Sequence, residues 1–344
     1  MSSILHNKKL RQLFKQLDAR VEAATSTADL LEVIKQLRAF GAPLAFDNAT
    51  PRLFLYIGLG LIAATVLFVP FVVLGIAFLL GGWLVMDHRS GVIDALSKKI
   101  THKSSMITYG LRASFNPDVQ VLKSLGGEFK DFHRGSYSRQ ILKSVQGTYL
   151  GAVHELPFTC QYLQYVDRES YKTTVPDGAG GTKVETKTVD REFDRYSLVL
   201  DFPWIENVAV RGDKHWEVDL EETLDTASSE FNSAFRLTGS TQMACAVFAK
   251  PATVLHLLQL HQQLSDFNLE FSEHGRLCLS FSDAGLLAPS ATEGLQNLQA
   301  FEQQVETGIR LPRLDLLLLW VHRLAELHDD NFALSPKPLK NMEY

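Results

Sequence analysis

The feature that most constrains this chain is an uninterrupted apolar stretch at residues 53–86. None of its 34 residues is Asp, Glu, Lys, Arg, His, Asn or Gln. As a single helix it would extend about 51 Å at roughly 1.5 Å per residue, well beyond the roughly 30 Å of bilayer hydrocarbon. Pro70 divides the stretch into arms of 17 and 16 residues, each close to the minimum length of a span. The sequence therefore predicts a transmembrane helical hairpin that is broken at Pro70.

Small and aromatic residues predict how the two arms meet. Folding the stretch at Pro70 sets small residues side by side, in the pairs Gly58 with Gly82, Thr65 with Gly75, and Gly60 with Gly81. Small side chains allow the close approach on which helix packing in lipid depends. Tyr56 and Trp83 then share one depth near the open ends, where aromatic rings favour the headgroup region. The alternative is a hairpin buried in the core of a soluble protein.

Basic residues flank the apolar stretch on both sides. Residues 88–146 carry ten basic and four acidic side chains, although the whole chain has a net charge of −5. The positive-inside rule therefore predicts that both termini are cytoplasmic, whether the arms cross the bilayer or only re-enter it. The basic residues could contact anionic lipid headgroups or serve as a topology signal alone. The candidates for headgroup contact are Arg52, Arg89, Lys98, Lys99 and Lys103.

The rest of the chain has the pattern of an α+β protein. Helical spacing of apolar residues predicts an amphipathic helical pair within residues 1–50. Its apolar stripes would pack on each other or on the cytoplasmic domain, or the pair would serve as a lipid-surface or oligomerisation element. Residues 88–146 are expected to form a basic, helical juxtamembrane region. From residue 147 to 344, β-branched and aromatic runs predict mainly antiparallel strands with packed helices. Residues 243–248 are predicted to be a strand, and residues 273–275 a tight turn.

The sequence contains no recognisable catalytic, cofactor or metal motif. His256 and His261 are five residues apart, and His322 and His328 are six apart, spacings that do not suit zinc ligands on one helical face. No P-loop and no nucleophile elbow occurs. The net acidic soluble part disfavours nucleic-acid binding. The three cysteines are widely spaced and predict free thiols in a reducing compartment: Cys160, Cys245 and Cys278.

The order of these features resembles a family of uncharacterised bacterial membrane proteins. The resemblance is carried by residues 230–235, 244–248 and 277–281 and by a Leu-rich helix led by Pro251, whereas residues 239–242 depart from the family's usual pattern. Members of that family have an N-terminal hydrophobic hairpin and a cytoplasmic domain of unknown function, often in genomic company with LemA-type membrane proteins. The resemblance implies the same architecture and a LemA-type partner, but it does not indicate an activity.

Together these patterns favour a membrane-anchored scaffold or adaptor without catalytic activity or cofactor. Its α+β domain would be presented to a protein partner or to another copy of the chain. The alternative is an envelope-associated enzyme whose site is assembled from residues distant in the sequence.

Overall fold

The computed structural model describes residues 3–41, 43–64, 70–113, 119–176 and 182–329. The chain divides into two compact units. Unit 1 comprises residues 1–109 and 288–312, and unit 2 comprises residues 110–287 and 313–344. Unit 1 is helical and unit 2 is built on an antiparallel sheet, so the predicted α+β class is confirmed.

The helices follow in chain order. They are α1 (Ser3–Ala23), α2 (Thr27–Ala39), α3 (Ala49–Ala63), α4 (Phe71–Thr108), α5 (Val119–Glu128), α6 (Ser229–Ala234), α7 (Gln242–Phe248), α8 (Pro251–His261), α9 (Leu298–Thr307) and α10 (Pro312–His328). A short 3₁₀ helix spans Lys130–His133.

Unit 1 contains a bundle made of α1, α2, the second half of α4, and α9. Its core includes Leu17, Ile34, Ile100 and Phe301, each at most 1% exposed. α2 starts with a capping box, in which the Ser26 hydroxyl accepts from the Asp29 N–H and the Asp29 carboxylate accepts from the Ser26 N–H. The apolar stripes of the N-terminal pair therefore pack inside the protein, which confirms the packing interpretation of that pair.

α4 is continuous over 38 residues, a length of about 57 Å at 1.5 Å per residue. The sequence predicted a membrane arm that ends at Met86 and a distinct juxtamembrane region from residue 88, whereas α4 continues through this boundary without a break. No proline follows Pro70 in this helix, and a single glycine such as Gly91 costs a helix only about 1 kcal/mol. The helix therefore runs from the apolar stretch directly into the core of the bundle.

The strands of unit 2 form one antiparallel sheet. They are β1 (Arg112–Ala113), β2 (Ser138–Leu150), β3 (Glu155–Pro176), β4 (Thr182–Asp201), β5 (Val208–Arg211), β6 (Glu222–Thr223), β7 (Arg236–Gly239), β8 (Asn268–Phe271) and β9 (Arg276–Phe281). Their order across the sheet is β1-β2-β3-β4-β9-β8-β5-β7-β6. α5 and the 3₁₀ helix cover one face, where Phe129 and Phe132 pack on Leu163 and Val199.

Two local predictions for unit 2 are corrected and one is confirmed. Residues 243–248 belong to helix α7, because the Thr241 side chain caps that helix by accepting from the Ala244 N–H at 3.1 Å. The predicted helical region 88–146 is helical only in part: α4 ends at Thr108, β1, α5 and the 3₁₀ helix follow, and β2 begins at Ser138. The tight turn between β8 and β9 is present, and Gly275 there has a φ of +70°, which a glycine adopts without strain.

Candidate functional site

The first candidate site is the apolar surface of α3 and the first half of α4. Among the described helices, α4 is long and apolar enough to cross a membrane, and α3 is apolar but only 15 residues long. α7 and α8 pass the same test as a pair bent by 74°, yet they bury Phe248 and Leu257 inside unit 2. The large apolar side chains exposed on α3 and α4 are Leu53, Phe54, Tyr56, Ile57, Leu59, Val72, Val73, Leu74, Ile76, Leu80, Trp83, Leu84 and Val85.

α3 and α4 pack against each other in antiparallel directions through glycines. A Cβ atom on Gly58 would lie 2.8 Å from the carbonyl oxygen of Gly75, and one on Gly82 would lie 2.8 Å from the carbonyl oxygen of Pro51. The Phe54 and Phe78 rings meet edge to face at 5.6 Å. The backbones approach so closely only because no side chain stands between them.

The register of this packing differs from the predicted one. Gly58 lies against Gly75 and not against Gly82, while Gly60 and Gly81 have no neighbour within 4 Å of a Cβ position. Thr65 lies outside the described residues. Pro70 lies immediately before α4, which begins at Phe71, the residue at which the prediction started the second arm. Proline is tolerated at a helix start, where its missing N–H would have no helical partner.

The new register also separates the two predicted interface anchors. Both side chains are exposed, Tyr56 at 70% and Trp83 at 57%. Because Gly82 contacts Pro51, Trp83 lies level with the start of α3, and Tyr56 lies about 9 Å further along that helix at 1.5 Å per residue. The two rings are therefore not directly level in this packing, and their position at a headgroup interface stays a prediction.

Arg89 fixes the open end of α3 and α4. Its guanidinium donates to the Asp47 carbonyl oxygen at 2.8 Å and to Asn48 Oδ1 at 3.0 Å, immediately before α3 begins. Arg52 is exposed on the first turn of α3. These two cations therefore lie where the apolar surface ends, and their contact with lipid headgroups stays a prediction.

The three lysines proposed for headgroup contact lie further along α4. Lys98 is about 18 Å and Lys103 about 26 Å beyond Met86 along the helix at 1.5 Å per residue. Lys99 forms ion pairs with Asp18 and Glu22, both at 2.7 Å, and Lys103 donates to the Glu22 carbonyl oxygen at 3.0 Å. Lys99 and Lys103 thus hold α1 against α4, a role that the sequence did not indicate.

The second candidate site is a buried cluster of two arginines and two aspartates in unit 2, which we call the Arg–Asp cluster. Asp131 accepts from Arg134 at 2.7 Å and from Arg195 at 2.9 Å, and Arg134 also donates to Asp213 at 2.7 Å. All four side chains are at most 4% exposed. Burial raises the pKa of Asp131, but the two guanidinium groups outweigh it and hold that pKa well below its ordinary range.

A carboxyl group whose pKa is raised, in contrast to that of Asp131, lies beside the Arg–Asp cluster. Glu270 accepts from the backbone N–H of Lys130 at 2.6 Å and of Asp131 at 2.9 Å, so it caps the 3₁₀ helix. Burial, together with the nearby charge of Asp131, raises the pKa of Glu270 to about 8. Glu270 faces a cleft of about 180 Å³ whose other polar lining residues are Glu128, Lys130, Asn207, Ser272, Glu273 and His274.

Three of the cleft side chains already have partners. Glu128 accepts from the Ser272 hydroxyl at 2.7 Å and pairs with Arg276, and the Lys130 ammonium donates to the Asp219 carbonyl oxygen. The cleft can therefore hold water or a small polar molecule beside a carboxyl group whose pKa is raised by burial.

Three of the four histidines considered in the sequence analysis form hydrogen bonds within the fold. His322 Nε2 accepts from the backbone N–H groups of Val153 at 3.3 Å and His154 at 3.2 Å. His256 Nε2 lies 2.9 Å from the Trp320 carbonyl oxygen, and His328 Nε2 lies 3.0 Å from Thr253 Oγ1. Within the described ranges, no group of three or more His, Cys, Asp or Glu side chains could hold a metal ion.

The cysteines are free and buried. Burial raises the pKa of Cys160 to about 12 and the pKa of Cys278 well above its ordinary value. Because the thiolate is the reactive form, these two thiols are poor nucleophiles at neutral pH.

Comparison with known proteins identifies no relative: no family model matches the chain, and no curated protein or solved structure is significantly similar to it. The resemblance to bacterial hairpin-anchored membrane proteins therefore stays a prediction. The sequence did not indicate the Arg–Asp cluster or Glu270, because Asp131 lies 64 residues from Arg195 and 139 residues from Glu270. No local motif brings such partners together.

Proposed function

We propose that this chain is a membrane-anchored scaffold whose α3–α4 hairpin inserts into a bilayer and whose remaining α+β part lies on the cytoplasmic side. The observation that carries the proposal is the outward face of α3 and α4, on which thirteen large apolar side chains are exposed together. Fully burying such a side chain is worth about 1.5–3 kcal/mol. A continuous apolar surface of this extent is typical of a membrane or protein contact.

The antiparallel packing of α3 and α4 supports a hairpin in which both termini lie on one side. The close contacts at Gly58, Gly75 and Gly82 return the chain to the level at which it entered, and the basic flanks favour the cytoplasmic side. If α4 crossed the bilayer without α3, the termini would lie on opposite sides. A second copy of the chain is the partner that we favour, and a LemA-type membrane protein is the alternative implied by the resemblance.

The contacts and burial of the histidine and cysteine side chains favour a non-catalytic role. His256, His322 and His328 are engaged by backbone or hydroxyl groups, and burial raises the pKa of the Cys160 and Cys278 thiols. The enzyme alternative rests on Glu270, whose raised pKa would suit a proton donor in the adjacent cleft.

Flotation of the full-length chain with phospholipid vesicles tests the anchor. We expect the wild-type chain to float with the vesicles and to remain with them after carbonate washing. The V73K/L80K variant should be largely released, because Leu80 lies near the middle of the apolar half of α4, and a lysine at the centre of a bilayer costs about 2.5–3.5 kcal/mol even on the lower scales.

The matched control is Leu319→Lys in α10, since Leu319 is 59% exposed and Leu80 is 54% exposed. This control should stay with the vesicles like the wild-type chain. Release of the wild-type chain by carbonate would contradict the proposal, and so would retention of V73K/L80K at the wild-type level.

A further inference from the structure

β3 and β4 continue as a two-stranded ribbon beyond the rest of the sheet. β2 pairs with β3 only as far as Val166, and β9 pairs with β4 only from Tyr196 onward. Beyond these points residues 167–176 pair with residues 182–191 alone. This segment, which we call the ribbon, extends roughly 33 Å at 3.3 Å per residue.

One face of the ribbon carries opposite charges on its two strands. Alternation along a strand places paired residues on the same face, so Asp167 and Glu169 of β3 share a face with Lys187 and Arg191 of β4. The ion pair between Glu169 and Arg191 at 3.2 Å confirms this shared face. We call it the charged face. Its acidic row lies on β3 and its basic row on β4, with Glu185 nearer the tip.

Apolar side chains lie along the charged face. Tyr171 is 50% exposed, and Val189 and Phe193 are each 39% exposed. Phe193 stacks on Tyr165 at 5.3 Å at the base of the ribbon. A mostly solvent-exposed two-stranded ribbon is marginally stable by itself, so covering these side chains would stabilise it.

The opposite face of the ribbon satisfies its own charges. Arg168 donates to both carboxylate oxygens of Asp190 at 2.6 and 2.7 Å and lies over the Tyr137 ring at 3.2 Å. The charged face is also internally paired, since Glu169 pairs with Arg191 and the Asp167 carboxylate accepts from the Ser136 N–H at 2.9 Å. What the charged face offers in addition is the exposed apolar surface of Tyr171 and Val189, which a partner would cover.

We propose that the charged face docks on the charged face of a second copy of this chain. A two-fold axis parallel to the ribbon places β3 of each copy over β4 of the other. Asp167 then faces Arg191 of the second copy, and Tyr171 faces Lys187. An acidic row beside a basic row is complementary to itself under this rotation, whereas a uniformly charged face would repel its copy.

The contact is small and depends on the membrane anchor to hold two copies together, so this proposal rests on the proposed function. From the strand rise and spacing, the charged face measures roughly 33 by 10 Å, or about 330 Å² per copy. Stable interfaces bury at least about 1,200 Å² over the two partners together. The contact is therefore too small to hold two copies together in dilute solution. Confinement of both copies to one bilayer raises their effective concentration, as tethering does.

A charge-exchange experiment on the full-length chain in vesicles tests the docking. One variant, D167K/E169K, makes both rows basic, and a second variant, K187E/R191E, makes both rows acidic. Energy transfer between donor- and acceptor-labelled copies reports association. Each variant alone should associate at least roughly tenfold more weakly than the wild-type chain, because like charges across an interface are strongly unfavourable.

Mixing the two variants should restore energy transfer, because basic rows then face acidic rows. Lys172→Glu, on the opposite face, should behave like the wild-type chain. Absence of transfer in the wild-type chain, undiminished transfer in either variant, or no restoration in the mixture would overturn the docking. All chains are first tested for flotation with vesicles: a chain that does not float contradicts the anchor, whereas chains that float without energy transfer contradict only the docking.

Discussion

Replacing Asp131 with alanine is expected to lower the free energy of unfolding of unit 2 by about 3–5 kcal/mol, the usual cost of removing one partner from a buried ion pair. Asp131 contacts both arginines of the Arg–Asp cluster. Without it, Arg134 and Arg195 share only the carboxylate of Asp213, which lies 2.7 Å from Arg134 and 3.7 Å from Arg195. One positive charge then remains buried without a counter-ion.

The measurement is urea unfolding of the full-length chain in detergent, followed by tryptophan fluorescence. Trp216 is a suitable reporter, because its ring lies 5.2 Å from the Arg134 guanidinium and its indole N–H donates to the Lys130 carbonyl oxygen at 3.2 Å. Trp83→Phe removes the signal from α4. The control is Asp190→Ala, which breaks an exposed pair with Arg168 and should cost less than about 1 kcal/mol. Equal losses for the two variants would contradict a stabilising role for the cluster.

The pH dependence of the cluster follows from the same contacts. The pKa of Asp131 is held below its ordinary value of 3.8, so the folded protein binds fewer protons at this group than the unfolded chain does near that pH. Its contribution to stability is therefore fully present at neutral pH and is lost as the pH falls below about 4.

The second large effect is expected for Gly75→Leu in α4. A Cβ atom at this position would lie 2.6 Å from Ile62 Cγ1 and 2.8 Å from the Gly58 carbonyl oxygen. The second of these neighbours is backbone, so α3 and α4 must move apart. Overpacking of this kind costs about 1–3 kcal/mol.

Gly81→Leu is the matched control, because Gly81 lies on the same helix with no neighbour within 4 Å of its Cβ position. Thermal unfolding in detergent should show a lower midpoint for Gly75→Leu than for Gly81→Leu. Equal midpoints would show that the glycines do not determine the packing of α3 on α4.

The sequence predicted those features that arise from local patterns. Neighbouring residues alone indicate the break at Pro70, the helices α1 and α2 and the turn at Gly275. The structure contains each of these features. The register of α3 against α4 was missed because similar spacing of glycines permits several alignments.

The remaining features depend on contacts between distant residues. Arg38 pairs with Glu302 across 264 positions and helps bring α9 against α2, and nothing near either residue indicates this contact. The Arg–Asp cluster is of the same kind. Arg195 follows the exposed ribbon segment of β4 and is only 2% exposed, yet its neighbours in the sequence are typical of a solvent-facing strand.

The sidedness of the two termini tests the central claim most directly. Reporters that are active only outside the cytoplasm are fused separately before Met1 and after Tyr344, and each fusion is expressed in a bacterial inner membrane. The α3–α4 hairpin predicts that both fusions are inactive, because both termini remain in the cytoplasm. One active and one inactive reporter would contradict the hairpin and would mean that the chain crosses the bilayer once.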